Sequence, residues 1–161
     1  MTLPLDYPNE RECRWLIGQG IDPTDIKAAN VTVTGGTFDF ADDGERVLIF
    51  TEPHDLVAWQ PKRGALASWR GVAFALNEDA AFNPASWFAG SALAVHQSPL
   101  DWLLADGDGI CIVKPALTYA MLRHVPRLVF SDLAYARKVR AWMQTPKVRC
   151  EFLIDAEARA A

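Results

Sequence analysis

The spacing of apolar residues changes along the chain, and each change predicts a different kind of element. Residues 8–18 combine four charged side chains with four apolar ones and end in glycine, which predicts a short amphipathic helix with an exposed charged face. Residues 22–30 predict a further helical turn. From Val31 the period becomes two, and turn residues separate short apolar runs, which predicts an antiparallel β-meander of about five strands. The runs are residues 31–33, 38–40, 46–51, 56–60, 65–69 and 72–76.

From residue 92 the pattern alternates between strand and helix. Ser98 and Pro99 predict the start of one helix, and residues 114–123 and 133–144 predict two more. Because helices of crossover length join parallel strands, the chain is predicted to be α/β. The N-terminal helix and antiparallel β-meander are followed by a mainly parallel four-stranded β-α-β-α-β-α-β layer. Its strands are predicted at residues 92–96, 110–113, 127–130 and 148–154.

A connection without clear period, residues 77–90, separates these two patterns. It predicts a boundary between an N-terminal region, residues 1–90, and an α/β region, residues 91–161. A length of 161 residues favours one compact unit that contains both regions.

Charge and cysteine usage restrict the class of protein. The net charge of −4 argues against a protein that binds nucleic acid over its whole surface. The N-terminus lacks the pattern of a signal peptide, and no apolar run approaches the ~20 residues that span a bilayer. Cys13, Cys111 and Cys150 have no metal-binding spacing, and the last two lie in apolar runs, which predicts buried, reduced thiols. We expect a soluble, cytoplasmic protein without membrane contact or cofactor.

The ends of the predicted parallel strands hold the candidate catalytic residues. Open α/β sheets bind ligands at the carboxyl ends of their strands, and His96, Lys114 and Asp132 follow three of them. A small α/β enzyme would use these groups on a small or phosphorylated substrate. The three histidines are far apart without metal-ligand spacing, so we predict no metal site.

Two further features allow more than one interpretation. A basic cluster follows Asp132, and it is either a solvated helix face or a patch for nucleic acid. Its members are Arg137, Lys138, Arg140, Lys147 and Arg149. The six tryptophans are either large core residues or an aromatic binding surface.

Residues 97–103, Gln-Ser-Pro-Leu-Asp-Trp-Leu, resemble the first motif of Toprim domains, Glu-Gly-Pro-x-Asp-x-Leu. Residues 128–142 resemble the region of the second motif, Asp-x-Asp, so the resemblance covers residues 92–154. Toprim domains occur in primases, topoisomerases and related nucleases, and the β-rich region upstream resembles the arrangement in phage and plasmid primase-like proteins. The resemblance implies that Gln97, Asp101 and Asp132 occupy motif positions.

Two of the three family carboxylates are replaced in this chain. Gln97 stands where the family has its acid/base or metal-binding Glu, and Ala134 stands where it has the second Asp. Because Mg²⁺ needs carboxylate oxygens, the resemblance implies an inactivated domain. An ordinary βα unit in which Ser98, Pro99 and Asp101 cap a helix explains the same residues.

The sequence therefore supports three functional hypotheses and favours a protein that is not an enzyme. The first is a non-catalytic binding module, with an inactivated Toprim-like domain of a phage or mobile-element replication context as its specific form. The second is a phage or plasmid protein that masks a host or viral protein, which exposed Trp59, Trp69 and Trp87 would favour. The third is the enzyme with His96, Lys114 and Asp132 in one cleft. A protein partner is expected, nucleic acid is an alternative ligand of the basic cluster, and no oligomeric state follows.

Overall fold

The computed structural model describes residues 3–144 and has a mixed α/β fold, as the sequence predicts at that level. Its helices are α1 (Glu10–Gly18), α2 (Asp79–Phe82), α3 (Pro99–Leu104), α4 (Thr118–Leu122) and α5 (Leu133–Trp142). Its strands are β1 (Lys27–Thr34), β2 (Thr37–Phe40), β3 (Glu45–Thr51), β4 (Leu56–Gln60), β5 (Ala65–Ser68), β6 (Ala75–Leu76), β7 (Leu93–His96), β8 (Ile110–Ile112) and β9 (Leu128–Val129). Two 3₁₀ helices cover Pro84–Ser86 and Pro115–Leu117.

The predicted meander closes into a five-stranded barrel with the order β1-β2-β5-β4-β3. The first half of β1 pairs antiparallel with β3 and its second half with β2, so the long strand belongs to both sides of the barrel. A parallel contact of β2 with β5, Thr37 opposite Ser68, closes it. The predicted helical turn at residues 22–30 is wrong, because no helix lies between α1 and β1, and residues 27–30 belong to β1. The burial of Ala28 and Ala29 in the barrel walls outweighs the helix propensity of alanine.

Both faces of the central barrel strands are buried, which explains their continuous apolar sequences. Val47 and Ile49 of β3 point with Ala58 of β4 into one apolar cluster, together with Val31 and Phe38. The alternate residues of β3 and β4 enter a second cluster that covers the barrel on its other side. This second cluster includes Leu48, Phe50, Val57, Trp59, Leu16 of α1, and Leu76 and Cys111 of the second sheet.

The second sheet has the order β6-β8-β7-β9. β7 is parallel to both β8 and β9, as predicted, with Val95 opposite Ile110 and Leu93 opposite Leu128. The sheet is nevertheless mixed, because β6 joins it antiparallel to β8. The prediction that residues 72–76 belong to the meander is therefore wrong. The fourth predicted parallel strand, residues 148–154, lies outside the described residues, as does Cys150.

The second sheet lies between the barrel and a layer of helices. One face packs against α2, α4 and α5 through residues such as Leu93, Ile110, Leu122 and Val139. The other face contacts α3 and the outer wall of the barrel. Cys111 on that face is a fully buried free thiol, and burial raises its pKa to about 12, so it is protonated and inert, as predicted. No helix among residues 3–144 is long and apolar enough to cross a membrane.

Candidate functional site

The strand register brings the three predicted catalytic residues to the same edge of the second sheet, which we call the carboxyl edge. His96 ends β7 opposite Cys111 of β8. Lys114 follows β8 by two residues, and Asp132 follows β9 by three. Because β7, β8 and β9 are parallel, the topology agrees with the placement expected from the sequence.

The imidazole of His96 and the carboxylate of Asp132 are both engaged in local hydrogen bonds. His96 Nε2 lies 2.8 Å from the carbonyl oxygen of Asp108 and donates to it, because a carbonyl oxygen only accepts. Asp132 is the N-cap of α5 and accepts from the backbone N–H of Tyr135 at 2.6 Å. Within residues 3–144, no hydrogen bond or ion pair joins any two of the three predicted catalytic side chains.

Lys114 is half-buried, and its ammonium donates to the carbonyl oxygen of Gly71. Gly71 lies in the segment that leaves the barrel and leads into β6. The backbone of the same segment is tied to β8, since the N–H groups of Val113 and Lys114 donate to the carbonyl oxygen of Phe74. Lys114 therefore holds the barrel against the second sheet.

Asp55 holds this connecting segment from the barrel side. Its buried carboxylate accepts backbone N–H groups from Arg70 at 2.7 Å, Val72 at 2.9 Å and Ala73 at 3.0 Å, and from Leu56 at 2.8 Å. Burial alone acts to raise the pKa of Asp55, but these four donors outweigh burial and hold the pKa below its ordinary value. A carboxylate that accepts four backbone hydrogen bonds has a structural role, and here it holds the connecting segment against the barrel.

Glu52 holds the other end of β6. Its side chain is buried and accepts from the backbone N–H of Asn77 at 2.9 Å. The side-chain amide of Asn77 in turn donates to the carbonyl oxygens of Gly107 and Gly109, which lie just before β8. Burial raises the pKa of Glu52, and the net shift is upward, unlike that of Asp55, because Glu52 has fewer donors to offset the loss of water.

The positions that resemble Toprim motifs serve helix capping or are exposed. The Ser98 hydroxyl donates to the Asp101 carboxylate at 2.7 Å and accepts from the Asp101 N–H at 3.2 Å, which caps α3. Gln97 is exposed, and no hydrogen bond joins it to Asp132 within the described residues. In that same part of the chain, no three His, Cys, Asp or Glu side chains are grouped so that they could hold a metal ion.

The described part of the basic cluster is exposed on one helix, which is compatible with both a solvated helix face and a patch for nucleic acid. Arg137, Lys138 and Arg140 are all exposed on α5. The Lys138 ammonium lies 5.6 Å from the centre of the Trp142 ring, which is a cation–π contact. The two remaining members, Lys147 and Arg149, lie outside the described residues.

An exposed aromatic surface, of which sequence reasoning named only Trp87, lies at the opposite, amino edge of the second sheet. We define it as Phe82, Trp87, Phe88 and His124. Its segments precede β7 and β9, two of the three parallel strands of the sheet. The rings of Phe82 and His124 stack at 5.3 Å and 20°, and the edge of Trp87 meets His124 at 6.0 Å. Phe82 is 50% exposed and Phe88 is 68% exposed.

Two hydrogen bonds to one carbonyl oxygen hold this surface in place. Trp87 Nε1 and His124 Nε2 both donate to the backbone oxygen of Ala81, at 3.1 Å and 2.8 Å. Trp87 and His124 are therefore held in place, and Phe82 is ordered by stacking on His124 although it faces solvent. Phe88 follows Trp87 in the chain. A signal for it exists in the sequence, since the stretch AFNPASWFAG contains three aromatic residues in a segment without strand or helix period.

The tryptophans named in the second hypothesis are not strongly exposed. Trp59 is 3% exposed in the wall of the barrel, and Trp69 and Trp87 are half-buried. Phe82, Phe88 and His124 are each more exposed than these three tryptophans.

Comparisons with known proteins add no functional assignment. No protein-family model matches the chain, and no curated protein or solved structure matches it significantly.

Proposed function

We propose that this chain is a non-catalytic interaction module that binds a protein partner through the aromatic surface. The observation that carries the proposal is the contrast between ordered, exposed rings at the amino edge and polar groups at the carboxyl edge that are engaged in the fold. Large exposed apolar side chains held in a fixed arrangement are typical of protein-binding sites.

The hydrogen bonds of the carboxyl edge oppose the enzyme hypothesis. A general acid or base must reach the substrate, and a nucleophile must lie within hydrogen-bond distance of its base. His96, Lys114 and Asp132 instead each bind backbone atoms of their surroundings. Substrate would have to compete with these contacts before any two of the groups could act together.

The chemistry of the aromatic surface favours a protein partner. Its rings carry a large apolar area and few rotatable bonds, so that binding costs little side-chain entropy. Arg123 and Arg127 are exposed next to His124 and supply a polar rim, and Arg127 also donates to the carbonyl oxygen of Gly90 at 3.2 Å. A central aromatic patch with a charged rim is the usual composition of such interfaces.

The biological setting of the module is a further part of the proposal. The resemblance of residues 97–103 to a Toprim motif supports an inactivated domain from phage or mobile-element replication, or a phage protein that masks a host or viral partner. The capping role of Asp101 and Asp132 is compatible with this origin, because caps persist when catalysis is lost.

Site-specific photo-crosslinking tests the proposed binding surface. Benzoylphenylalanine replaces Phe88 in one variant and the 62%-exposed Ile17 of α1 in a matched control. We expect one discrete protein adduct from position 88 and none from position 17 in cells that carry the natural gene. The captured protein is then purified and titrated against the chain. Phe82→Ala and Phe88→Ser should each raise its Kd at least about tenfold, equivalent to ~1.4 kcal/mol, whereas Ile17→Ser should not.

Equal adducts from both positions, or an unchanged Kd in the phenylalanine variants, would contradict the proposed surface. A separate assay tests the non-catalytic part. The chain is incubated with Mg²⁺ or Mn²⁺ and with primer-synthesis and nuclease substrates. Metal-dependent turnover that Asp132→Asn abolishes would replace this proposal with the enzyme hypothesis.

A further inference from the structure

A groove of about 380 Å³ lies between α1 and the barrel strands β3 and β4, away from the aromatic surface. Trp15 and Arg11 of α1 form one wall, Arg46 of β3 lies between the walls, and Pro61 and Lys62 form the other. Its volume is within the range of small-molecule sites, at the lower end. None of the functional residues predicted from the sequence lines it.

One arginine, Arg46, links the chain segments around the groove. Arg46 pairs with Glu12 of α1 at 3.3 Å and with Asp6 at 3.2 Å, and it donates to the carbonyl oxygen of Tyr7 at 3.1 Å. These contacts join α1, and the segment of Asp6 and Tyr7 that precedes it, to β3. A ligand would therefore meet a groove whose width is already set, which reduces the entropic cost of binding.

Trp15 provides a planar apolar surface. Its indole is 37% exposed and packs against the buried ring of Trp59, with 5.9 Å between ring centres at 56°. The neighbouring Leu16 is fully buried and fixes α1 against the barrel. An indole that is supported from behind and open in front can stack on a flat ring.

The charges of the groove favour an anionic ligand. Three of its four ionisable residues are cationic, Arg11, Arg46 and Lys62, although the whole chain has a net charge of −4. The fourth, Glu12, is paired with Arg46. Arg11 and Lys62 are exposed, and neither forms an ion pair among residues 3–144. Two cations thus remain for a ligand on opposite walls.

We propose that this groove binds a phosphorylated nucleoside, either free or as a unit of a single-stranded nucleic acid. The base stacks on Trp15, and Arg11 and Lys62 contact the phosphate. Stacking on an aromatic side chain together with cationic contacts to phosphate is the general chemistry of this ligand class. The inference goes beyond the proposed function, because it concerns a different surface and ligand.

An acidic peptide fits the groove less well. Peptides that bind along a sheet need a free strand edge, but β3 is paired on both sides, with β1 and β4. A helical peptide needs a long apolar groove, whereas four of the ten residues that line this one are ionisable. The site therefore favours a compact ligand that presents a ring and a negative charge together.

The test is calorimetric titration of the full chain with adenosine and thymidine monophosphates, adenosine, inorganic phosphate, a ten-residue oligothymidylate and an acidic peptide that contains tryptophan. We expect at least one nucleotide to bind with a Kd below about 1 mM and to change tryptophan fluorescence. Adenosine and phosphate should each bind at least tenfold more weakly than that nucleotide. Tighter binding of the oligomer than of the monophosphate, with affinity that falls as salt rises, would assign the ligand to a nucleic acid strand. Equal or tighter binding of the monophosphate would assign it to a free nucleotide.

Charge reversal at the walls supplies the matched variants. Arg11→Glu and Lys62→Glu should each weaken nucleotide binding at least fivefold. Arg14→Glu should have no such effect, because Arg14 lies on the same helix but pairs with Glu10 and does not line the groove. Trp15→Ala should remove the fluorescence change. The thermal unfolding of Trp15→Ala is measured in parallel. If this variant fails to fold, Arg11→Glu and Lys62→Glu still test the proposed site.

Four results would overturn the inference: no nucleotide binding below 1 mM, equal binding of adenosine or phosphate, tighter binding of the acidic peptide, or equal losses in the Arg11 and Arg14 variants. None of these results bears on the crosslink from position 88, so the failure of one proposal is distinguishable from the failure of the other.

Discussion

The two edges of the second sheet differ in what their polar and aromatic side chains do. At the carboxyl edge, His96, Lys114 and Asp132 bind backbone groups of neighbouring elements. At the amino edge, Phe82 and Phe88 stay largely exposed, while Trp87 and His124 of the same surface are held by hydrogen bonds to Ala81. Chemically versatile residues at a strand end therefore do not by themselves make a site. The side chains must also be free of structural contacts.

Side chains of the turn between β3 and β4 bind backbone groups at both ends of β6. Asp55 binds the segment before β6, close to Lys114, and Glu52 binds Asn77 after it. One short turn thus joins the barrel to both edges of the second sheet. If the comparison is right, changes near the carboxyl edge should affect stability, whereas changes to the aromatic surface should affect only binding.

The largest expected effect is the loss of Asp55. Asp55→Asn keeps the size of the side chain but replaces one acceptor oxygen with an NH₂ group, which cannot accept from Val72 and Ala73. Loss of the acceptor for the buried N–H of Ala73 and the partly buried N–H of Val72 should lower the free energy of unfolding by about 4 kcal/mol. Urea denaturation measures this. Glu52→Gln is the matched control and should lose less than about 1 kcal/mol, since its amide oxygen still accepts from Asn77. Equal losses of unfolding free energy in the two variants would show that the two carboxylates contribute equally to stability.

The next effect concerns the close contact of β7 and β8 at the amino edge. Gly109 has φ +77°, and a Cβ there would lie 2.4 Å from the carbonyl oxygen of Ala94. Gly109→Ala should therefore lower the free energy of unfolding by about 3 kcal/mol, from backbone strain and from overpacking. Gly107→Ala, with φ +75° but only a side-chain neighbour at 3.3 Å, should cost about 1 kcal/mol. Thermal and urea unfolding compare the two, and equal costs would exclude the steric explanation.

A smaller effect is an opposite pH dependence of the two buried carboxylates. The pKa of Asp55 is lowered in the fold, so its contribution is complete above the ordinary pKa of aspartate and is lost as pH falls through the lowered value. The pKa of Glu52 is raised, so its contribution is complete below the ordinary pKa of glutamate and decreases as pH rises through the raised value. The cost of Asp55→Asn should therefore shrink as pH falls from 7 to 3, and the cost of Glu52→Gln should shrink as pH rises. Urea titrations at several pH values measure both, and parallel trends would refute the assignment.

Lys114 should have a modest structural effect and no catalytic one. Lys114→Met keeps the apolar stem but removes the donor to the Gly71 carbonyl oxygen, which should lower the free energy of unfolding by about 1 kcal/mol. Lys62→Met, at an exposed turn, should change it by less than about 0.5 kcal/mol. Differential scanning calorimetry measures both. An unchanged stability would leave Lys114 free for substrate and strengthen the enzyme hypothesis.

The smallest effect is expected at the aromatic surface. Because Phe88 is 68% exposed, Phe88→Ser should change the free energy of unfolding by less than about 0.5 kcal/mol. Leu122→Ala, in the buried core beside this surface, should cost at least about 2 kcal/mol. Urea denaturation compares the two variants. A loss above 1 kcal/mol in Phe88→Ser would mean that this ring is part of the core and would remove the main support for a binding surface.

Local signals predicted most elements well and their partners less well. The caps Ser98 and Asp132 were identifiable because capping depends on residues within one turn of the helix. The parallel pairing of β7 and β8 followed from the helix between them. By contrast, residues 72–76 have the same apolar character as the barrel strands, so that pattern alone could not show that β6 pairs with β8. The pairing of β6 with β8 depends on the hydrogen bonds that Asp55 and Lys114 form with the segment before β6. These hydrogen bonds join residues far apart in sequence.

The sequence by itself determined the mixed α/β class, the change from meander to alternating strands and helices, the helix starts and the buried thiol of Cys111, because each depends on periodicity, capping or composition over a few residues. Only the tertiary structure decided that the meander closes into a barrel, that the strand-end groups are engaged in hydrogen bonds, and that aromatic rings and a cationic groove remain exposed to solvent. These properties depend on which distant residues meet, and therefore on which donors, acceptors and apolar surfaces are already used in folding.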